Sequence, residues 1–154
     1  LAKNVFKEAV VNKKQNLLFL CTGNSCRSQM AEAWTNHLHG DKFQAFSAGV
    51  RKSRVDPRAI KVMAEKGIDI SGNSSKLVEE LPGVNFDFVI TLCDHAQESC
   101  PFFPGKTKKL HQSFEDPPLL AQKASTEEEA LDHYRRIRDE IREFVIGLPD
   151  IIKS

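Results

Sequence analysis

An α/β protein, with an open four-stranded parallel sheet flanked by helices, is the fold class this chain predicts. Three observations predict it. Strand-length segments alternate with helical ones along the whole chain. Two of the strand segments, 16–21 and 86–92, are apolar without alternation, as strands covered on both faces must be. The 154 residues carry no internal repeat, linker or low-complexity block, so they fit one domain with a sizeable core.

The elements follow in order. Residues 1–15 form an N-terminal extension in which Val5, Phe6, Ala9 and Val10 fall at helical spacing, so a short amphipathic helix is expected there. The domain proper is 16–154. Its first strand, 16–21, runs through Leu17–Leu20 into Cys21. A helix over 28–39 buries Met30, Ala31, Trp34 and Leu38, and Gly40 ends it. The second strand, 43–48, stops at Ser47-Ala48-Gly49. Asp56-Pro57 opens the next helix as N-cap and first-turn proline, with Ala59, Ile60, Met63 and Ala64 on its apolar face and Gly67 at its close. After the turn-rich 68–75, a short helix is expected over 76–81, stopped by Pro82-Gly83. The third strand, 86–92, delivers Cys93 at its C-terminal end, and a fourth short strand lies within 106–112. Ser125-Thr126-Glu127-Glu128 reads as a capping box for a last helix over 126–146, which buries Leu131, Tyr134, Ile137, Ile141, Phe144 and Val145 and is terminated by Gly147 and Pro149.

Composition excludes several classes of function. A net charge of +1 offers no general electrostatic case for nucleic acid or a membrane surface, so any anion preference must be local. No apolar run approaches the ~20 residues of a membrane span, and no signal peptide is visible, so the cytoplasm is the expected compartment. A monomer is expected, though nothing in the residues argues for one state over another. In a reducing compartment the four cysteines, Cys21, Cys26, Cys93 and Cys100, read as catalytic or metal-binding, not as a disulfide scaffold. Zinc is disfavoured: the spacings are Cys-x4-Cys and Cys-x6-Cys, Arg27 beside Cys26 repels a cation, and no histidine completes a ligand set. No zinc is expected.

The chemistry centres on LLFLCTGNSCRS at 17–28. A strand that ends in Cys-x5-Arg-Ser and opens a helix forms an oxyanion cradle with a thiol at its base. The backbone N–H groups of Thr22, Gly23, Asn24, Ser25, Cys26 and Arg27 can all turn inward on an anion at the helix N-terminus. Gly23 and Asn24 suit the positive φ of so tight a loop. Arg27 presents a planar fork to two oxygens of a tetrahedral anion. The same positive field favours the nucleophilic thiolate of Cys21, and Ser28 either donates to that sulfur or caps the helix. The blander alternative is a buried structural cysteine beside a surface arginine. It does not explain why a Gly-Asn-Ser loop follows the thiol.

Two further stretches bear on chemistry. CDHAQESC, from Cys93 to Cys100, separates two thiols by helix-tolerant residues, and Pro101 disfavours helical geometry at Cys100. On a helix seven residues rise about 10 Å, whereas a disulfide needs Cα atoms within about 7 Å. A Cys93–Cys100 bond therefore requires the segment to unwind, which makes it a redox-driven two-state element; the alternative is two unrelated cysteines. His95 sits within this segment as a potential influence on a thiol, though such residues are commonly just solvated. Asp116-Pro117 presents a carboxylate on a turn, where it can protonate a leaving oxygen or activate water, with Glu115 as the competing acid. The basic cluster Arg51, Lys52 and Arg54 reads first as a solvated loop.

Taken together, CTGNSCRSQMAE, Ser47-Ala48-Gly49, TLC at 91–93, Cys100-Pro101 and FEDPP at 114–118 closely resemble the thioredoxin-coupled arsenate reductases, which share the fold of the low-molecular-weight protein tyrosine phosphatases. The resemblance spans about residues 16–146. It implies arsenate as substrate and thioredoxin, or a similar thiol reductant, as partner. It also implies a relay. Cys21 attacks arsenic held by Arg27 and the loop amides, Asp116 protonates the departing oxygen, and Cys93 attacks Cys21 as arsenite leaves. Cys100 then closes the redox disulfide with Cys93. Cys26 is a loop residue outside the relay. Thiol–disulfide exchange supplies every later step, so the resemblance implies that no metal or organic cofactor is needed.

Some members of that family hold potassium behind the loop. Here Asn24, Glu32, Ser47 and Ser74 offer oxygens, but Lys76 stands where an acidic ligand is expected. Pairing of its ammonium with Glu32 would replace the cation, so no obligatory potassium is expected. Two rival readings share the cradle. A phosphotyrosine phosphatase needs only one thiol, and usually places aromatic residues after Asp-Pro, where this chain has Pro118, Leu119 and Leu120. A redox-sensing binding module would bind an anion without turnover.

Overall fold

The computed structural model describes residues 13–153 apart from Pro82 and Pro104. The helix expected in the N-terminal extension falls on residues 1–12, outside the described residues; Lys13 and Lys14 lead directly into the first strand.

Four parallel strands form one sheet in the order β2-β1-β3-β4, with β1 (Gln15–Cys21), β2 (Phe43–Gly49), β3 (Phe88–Thr91) and β4 (Lys108–His111). The expected sheet is present, and its centre is the apolar run the sequence pointed to. Leu17, Leu18, Phe19 and Leu20 of β1 are each fully buried, which only a strand covered on both faces allows. Burial of each such side chain contributes about 1.5–3 kcal/mol. β1 pairs Leu20 with Thr91 of β3 on one side and Cys21 with Gly49 of β2 on the other, so the strand ends that carry the chemistry lie side by side.

Helix α1 (Arg27–His39) packs on β1 and β2 and on the long helix α5 (Glu127–Ile146). Its buried face includes Met30, Ala31 and Trp34 as expected, and Leu38 packs at its margin. Helix α2 (Pro57–Ala64) also rests on α5, with Asp56 accepting a hydrogen bond from the Arg58 N–H at 2.9 Å as N-cap. Gly67, at φ +77°, terminates that turn as the sequence predicted. Short helices α3 (Asp94–Glu98) and α4 (Pro117–Ala121) follow β3 and β4.

Three local expectations are corrected. The helix expected over 76–81 is a single 3-10 turn, Val78–Glu80. The backbone before it is committed elsewhere: Gly49 N–H donates to Lys76 C=O at 2.7 Å, and Gly49 bridges Leu77, extending the edge of the sheet. The cap of α5 is shifted by one residue. Thr126 is the N-cap and accepts from Glu129 N–H at 3.1 Å, while Glu129 reaches back to Ser125 N–H at 2.8 Å. Gly147 caps the helix after Ile146, as expected, but that helix is not the last. Gly147 adopts a right-handed helical φ of −85°, and a final helix α6 (Leu148–Lys153) begins at once, with Pro149 in its first turn where no N–H is needed.

Candidate active site

The loop between β1 and α1 closes around a cavity of about 440 Å³. Cys21, Thr22, Gly23, Ser25, Cys26 and Arg27 line it from the loop, and Ser53, Asp56, Arg58, Asp116, Pro118 and Tyr134 face them. Asn24 and Ser28, expected among the substrate-binding residues, lie fully buried and do not line the cavity. They hold the loop from within. Asn24 is the one described non-glycine residue at positive φ, +50°, a conformation asparagine tolerates better than most. Its side chain explains why the loop stays there. Nδ2 donates to Ser28 Oγ at 2.8 Å, and Oδ1 accepts from Lys76 N–H at 2.9 Å and Gln29 Nε2 at 3.0 Å.

Of the two places expected for Ser28, the structure shows the one beside the Cys21 sulfur. Ser28 does not cap α1, whose N-cap is Cys26. Its Oγ lies 2.9 Å from Cys21 Sγ. Because Oγ already accepts from Asn24, its own proton is free for the sulfur. The serine thus presents a donor to Cys21 Sγ.

Arg27 is buried and fixed at two points. Nη1 donates to Phe114 C=O at 2.9 Å, and Nη2 faces Asp116 Oδ1 at 3.6 Å. Asp116 is the N-cap residue of α4 yet makes no side-chain cap bond, so its carboxylate is left to the cavity. Glu115, the competing acid, points elsewhere, to Arg136 at 3.1 Å.

The parallel β1–β3 pairing continues past the strands as Leu92 N–H donates to Leu20 C=O at 2.9 Å, and it brings Cys93 to the cradle. Cys93 Sγ lies 3.3 Å from Thr22 Oγ1, the hydroxyl of the residue after Cys21. Cys93 is also the N-cap of α3, accepting from Ala96 N–H at 3.4 Å. Cys100 lies beyond the other end of α3, half-buried, and burial pushes its thiol pKa up. Cys26 is buried, and its thiol is pushed well above the ordinary range by burial and then by the carboxylate of Asp56. It stays protonated and is a poor nucleophile. All four cysteines are free thiols.

Several members of the site were missed in the sequence. Gln29, fully buried, ties Asn24 to Ser74 C=O and Asn73. Ser75 donates to Gly23 C=O at 2.8 Å and accepts from Ser53 N–H at 2.9 Å. Periodicity places Tyr134 on an apolar face, but its hydroxyl donates to Asp56 Oδ2 at 2.5 Å on the cavity wall. Arg58 stacks 5.9 Å from the Tyr134 ring centre while its guanidinium pairs with Glu127 at 2.9 Å. Helical periodicity carries no signal for a hydroxyl at the end of a buried ring.

The residues behind the loop do not fit a potassium ion. Lys76 Nζ lies 3.0 Å from Ser74 C=O and 3.4 Å from Asn24 Oδ1, so an ammonium takes two of the oxygens that a cation would need. The expected pairing of Lys76 with Glu32 is corrected: among the described residues no ion pair joins them. Glu32 instead accepts from Ser47 Oγ at 3.0 Å. Burial raises the Glu32 pKa, and the field of Lys76 opposes this from a distance.

This geometry, a thiol in a loop cavity with a fixed arginine and a carboxylate on the facing wall, agrees with the family match. Residues 16–153 match the low molecular weight phosphotyrosine protein phosphatase family, and the chain belongs to it. The relatives that it matches over most of its length carry a narrower description. The chain is 45% identical over 130 residues to an arsenate reductase of Bacillus licheniformis, covering 84% of this chain and 91% of that one. It is likewise 45% identical over 125 residues to an arsenate reductase of Bacillus subtilis, covering 81% and 88%. A solved arsenate reductase in its phosphate-binding state superposes with a TM-score of 0.68 at 32% identity, covering 90% of this chain and 98% of that one. No helix among the described residues is long and apolar enough to cross a membrane.

Proposed function

We propose that this protein reduces arsenate to arsenite through a relay of the thiols of Cys21, Cys93 and Cys100, with the final disulfide reduced by thioredoxin or a similar dithiol protein. Arsenate enters the cradle against the amides of 22–27 and the Arg27 fork, with its arsenic over Cys21 Sγ. The Cys21 thiolate, hydrogen-bonded by Ser28, forms a sulfur–arsenic bond. Asp116 protonates the oxygen that leaves as water. The Cys93 thiolate then attacks Cys21 Sγ. The sulfur–arsenic electron pair stays on arsenic, which departs as arsenite, and a Cys21–Cys93 disulfide remains. Cys100 attacks Cys93 and releases the Cys21 thiolate, and an external dithiol returns two electrons to the Cys93–Cys100 disulfide.

The observation that carries this reading is the 3.3 Å approach of Cys93 Sγ to Thr22 Oγ1, which brings a second thiol to the residue next to the nucleophile. Hydrolysis of a phosphate ester needs no such group. The burial that raises the Cys100 pKa fits a resolving thiol that is quiet until its segment opens. The test is arsenate-dependent consumption of reduced thioredoxin, with disulfides mapped by mass after one turnover. Cys93→Ser should abolish multiple turnover and leave arsenate binding intact. Sustained turnover by that variant sinks the relay.

The family match supports a second reading, a phosphotyrosine phosphatase that uses Cys21, Arg27 and Asp116 alone. Hydrolysis of a phosphotyrosine ester that survives Cys93→Ser, with no arsenate reduction by the parent protein, would establish it.

A further inference from the structure

We propose that Asp94 and His111 form a clasp that holds the 93–100 segment in its helical form and so sets how readily the Cys93–Cys100 disulfide forms. This rests on the relay proposed above.

The clasp spans three elements. His111, at the end of β4, places Nε2 3.0 Å from Asp94 Oδ1, on the first turn of α3. Its other ring nitrogen, Nδ1, lies 2.7 Å from Thr91 Oγ1 at the end of β3. Thr91 is itself tied to the β4 backbone at Leu110 C=O, 3.3 Å away. The imidazole is therefore pinned in orientation by the sheet before it meets Asp94. With the Thr91 hydroxyl proton on Leu110 C=O, the imidazolium completes the network, donating from Nδ1 to Thr91 Oγ1 and from Nε2 to Asp94; the neutral Nε2–H tautomer keeps the Asp94 contact only if Thr91 turns its proton from Leu110 to Nδ1.

α3 has little else to hold it. It is five residues long, too short to be stable alone. Of its side chains only Ala96 is buried. Among the described residues, Asp94 carries the one side-chain hydrogen bond from this helix to another element; His95, Gln97 and Glu98 make none. Cys93 caps this helix and Cys100 lies two residues past its last turn, so the intact helix holds the two apart, and closing a disulfide, which needs Cα atoms within about 7 Å, requires the turn to unwind. Asp94 adjoins Cys93 and must move with it, so the clasp bonds the dithiol form and not the disulfide form. A bond made in only one of two states shifts the equilibrium between them toward that state. Asp94 and His111 are thus positioning residues, which keep Cys93 beside Thr22 until its sulfur has been used.

The test is the redox equilibrium of the pair in the full chain, without arsenate. The protein is equilibrated with reduced and oxidised dithiothreitol, so that the two thiols give two electrons and two protons to the cyclic disulfide of the reagent. After acid quenching and alkylation, peptide masses count the Cys93–Cys100 bond apart from any other pair. Asp94→Ala and His111→Ala should each raise its equilibrium constant about three- to tenfold, the scale of one exposed, charge-assisted hydrogen bond. The double variant should do no more than the larger single change. Asp94→Asn, which keeps an acceptor oxygen, should recover part of the effect. Loss of a favourable charge at the start of α3 would also act in Asp94→Ala, but it would act independently of His111. Additive changes, or none, overturn the clasp and leave the relay standing. Failure to form any Cys93–Cys100 disulfide in the oxidised buffer overturns the relay, and the clasp with it.

Discussion

Thr22 Oγ1 and Cys93 Sγ, 71 residues apart in sequence, lie 3.3 Å apart, with Thr22 on the cavity wall and Cys93 buried. A hydroxyl there can donate to a Cys93 thiolate and hold it next to the nucleophile. Thr22→Val keeps the shape and removes the donor. It should slow the step that consumes Cys93 in the proposed relay about ten- to a hundredfold, the size of one hydrogen bond to a charged group. Single-turnover arsenite release measures it. Dissociation constants for arsenate should change less than twofold; a matching loss of binding would assign Thr22 to the substrate instead.

Gly49 is where β2 passes behind the loop. A Cβ there would lie 2.7 Å from Asn24 N and 2.8 Å from Gly23 C, both backbone atoms. Gly49→Ala must displace the cradle, with a stability cost of about 1–3 kcal/mol, typical of overpacking. Anion binding, followed by titration calorimetry with phosphate, should fall at least tenfold while the far-UV spectrum stays that of a folded α/β protein. Undisturbed binding would mean that the loop amides do not hold the anion.

Potassium should be dispensable. With Lys76 Nζ on Ser74 C=O and Asn24 Oδ1, replacing sodium by potassium at fixed ionic strength should leave kcat/KM unchanged. A clear rise would show that a cation displaces the ammonium. Lys76→Met should lower thermal stability, since it frees Asn24 Oδ1 from one donor while the Lys76 N–H bond remains.

The acid limb of stability should run through Glu65. Hydrogen bonds from Arg135, at 2.8 Å, and then Arg138, at 2.9 Å, hold its pKa below the usual carboxylate value. A group whose folded pKa is depressed adds stability above its unfolded pKa and loses it as pH falls through the folded value. Glu65→Gln should therefore lower Tm most near neutral pH, and the gap to the parent should close on acidification below about pH 4, beneath the ordinary glutamate range. A gap independent of pH would assign the loss to packing. The carboxylate is partly exposed, so solvent screening keeps the effect modest.

Much of the fold and part of the site could be read along the chain because they depend on near neighbours. The unbroken apolar run of β1, the Asp56-Pro57 start and the Gly67 stop are local statements, and the structure keeps each of them. Cys21, Arg27 and Asp116 do converge on one cavity. The reading failed where a distant partner claimed a segment's backbone or a side chain's tip. Residues 76–77 gave up a helix to pair with Gly49, Glu32 took Ser47 in place of Lys76, and Tyr134 turned its hydroxyl to Asp56.

Local residue order is enough to specify that a strand delivers a thiol into a Cys-x5-Arg loop and that a second strand delivers another thiol to the head of a short helix. Spacing, turn residues and apolar patterning act over a few residues, so the chain alone carries them. Only the tertiary structure decided that β1 and β3 lie adjacent, which brings Cys93 within reach of Thr22, and that β4 ends beside α3, which gives Asp94 its histidine. Strand order is settled by how all the helices and strands bury their faces together, and no local stretch of residues encodes that.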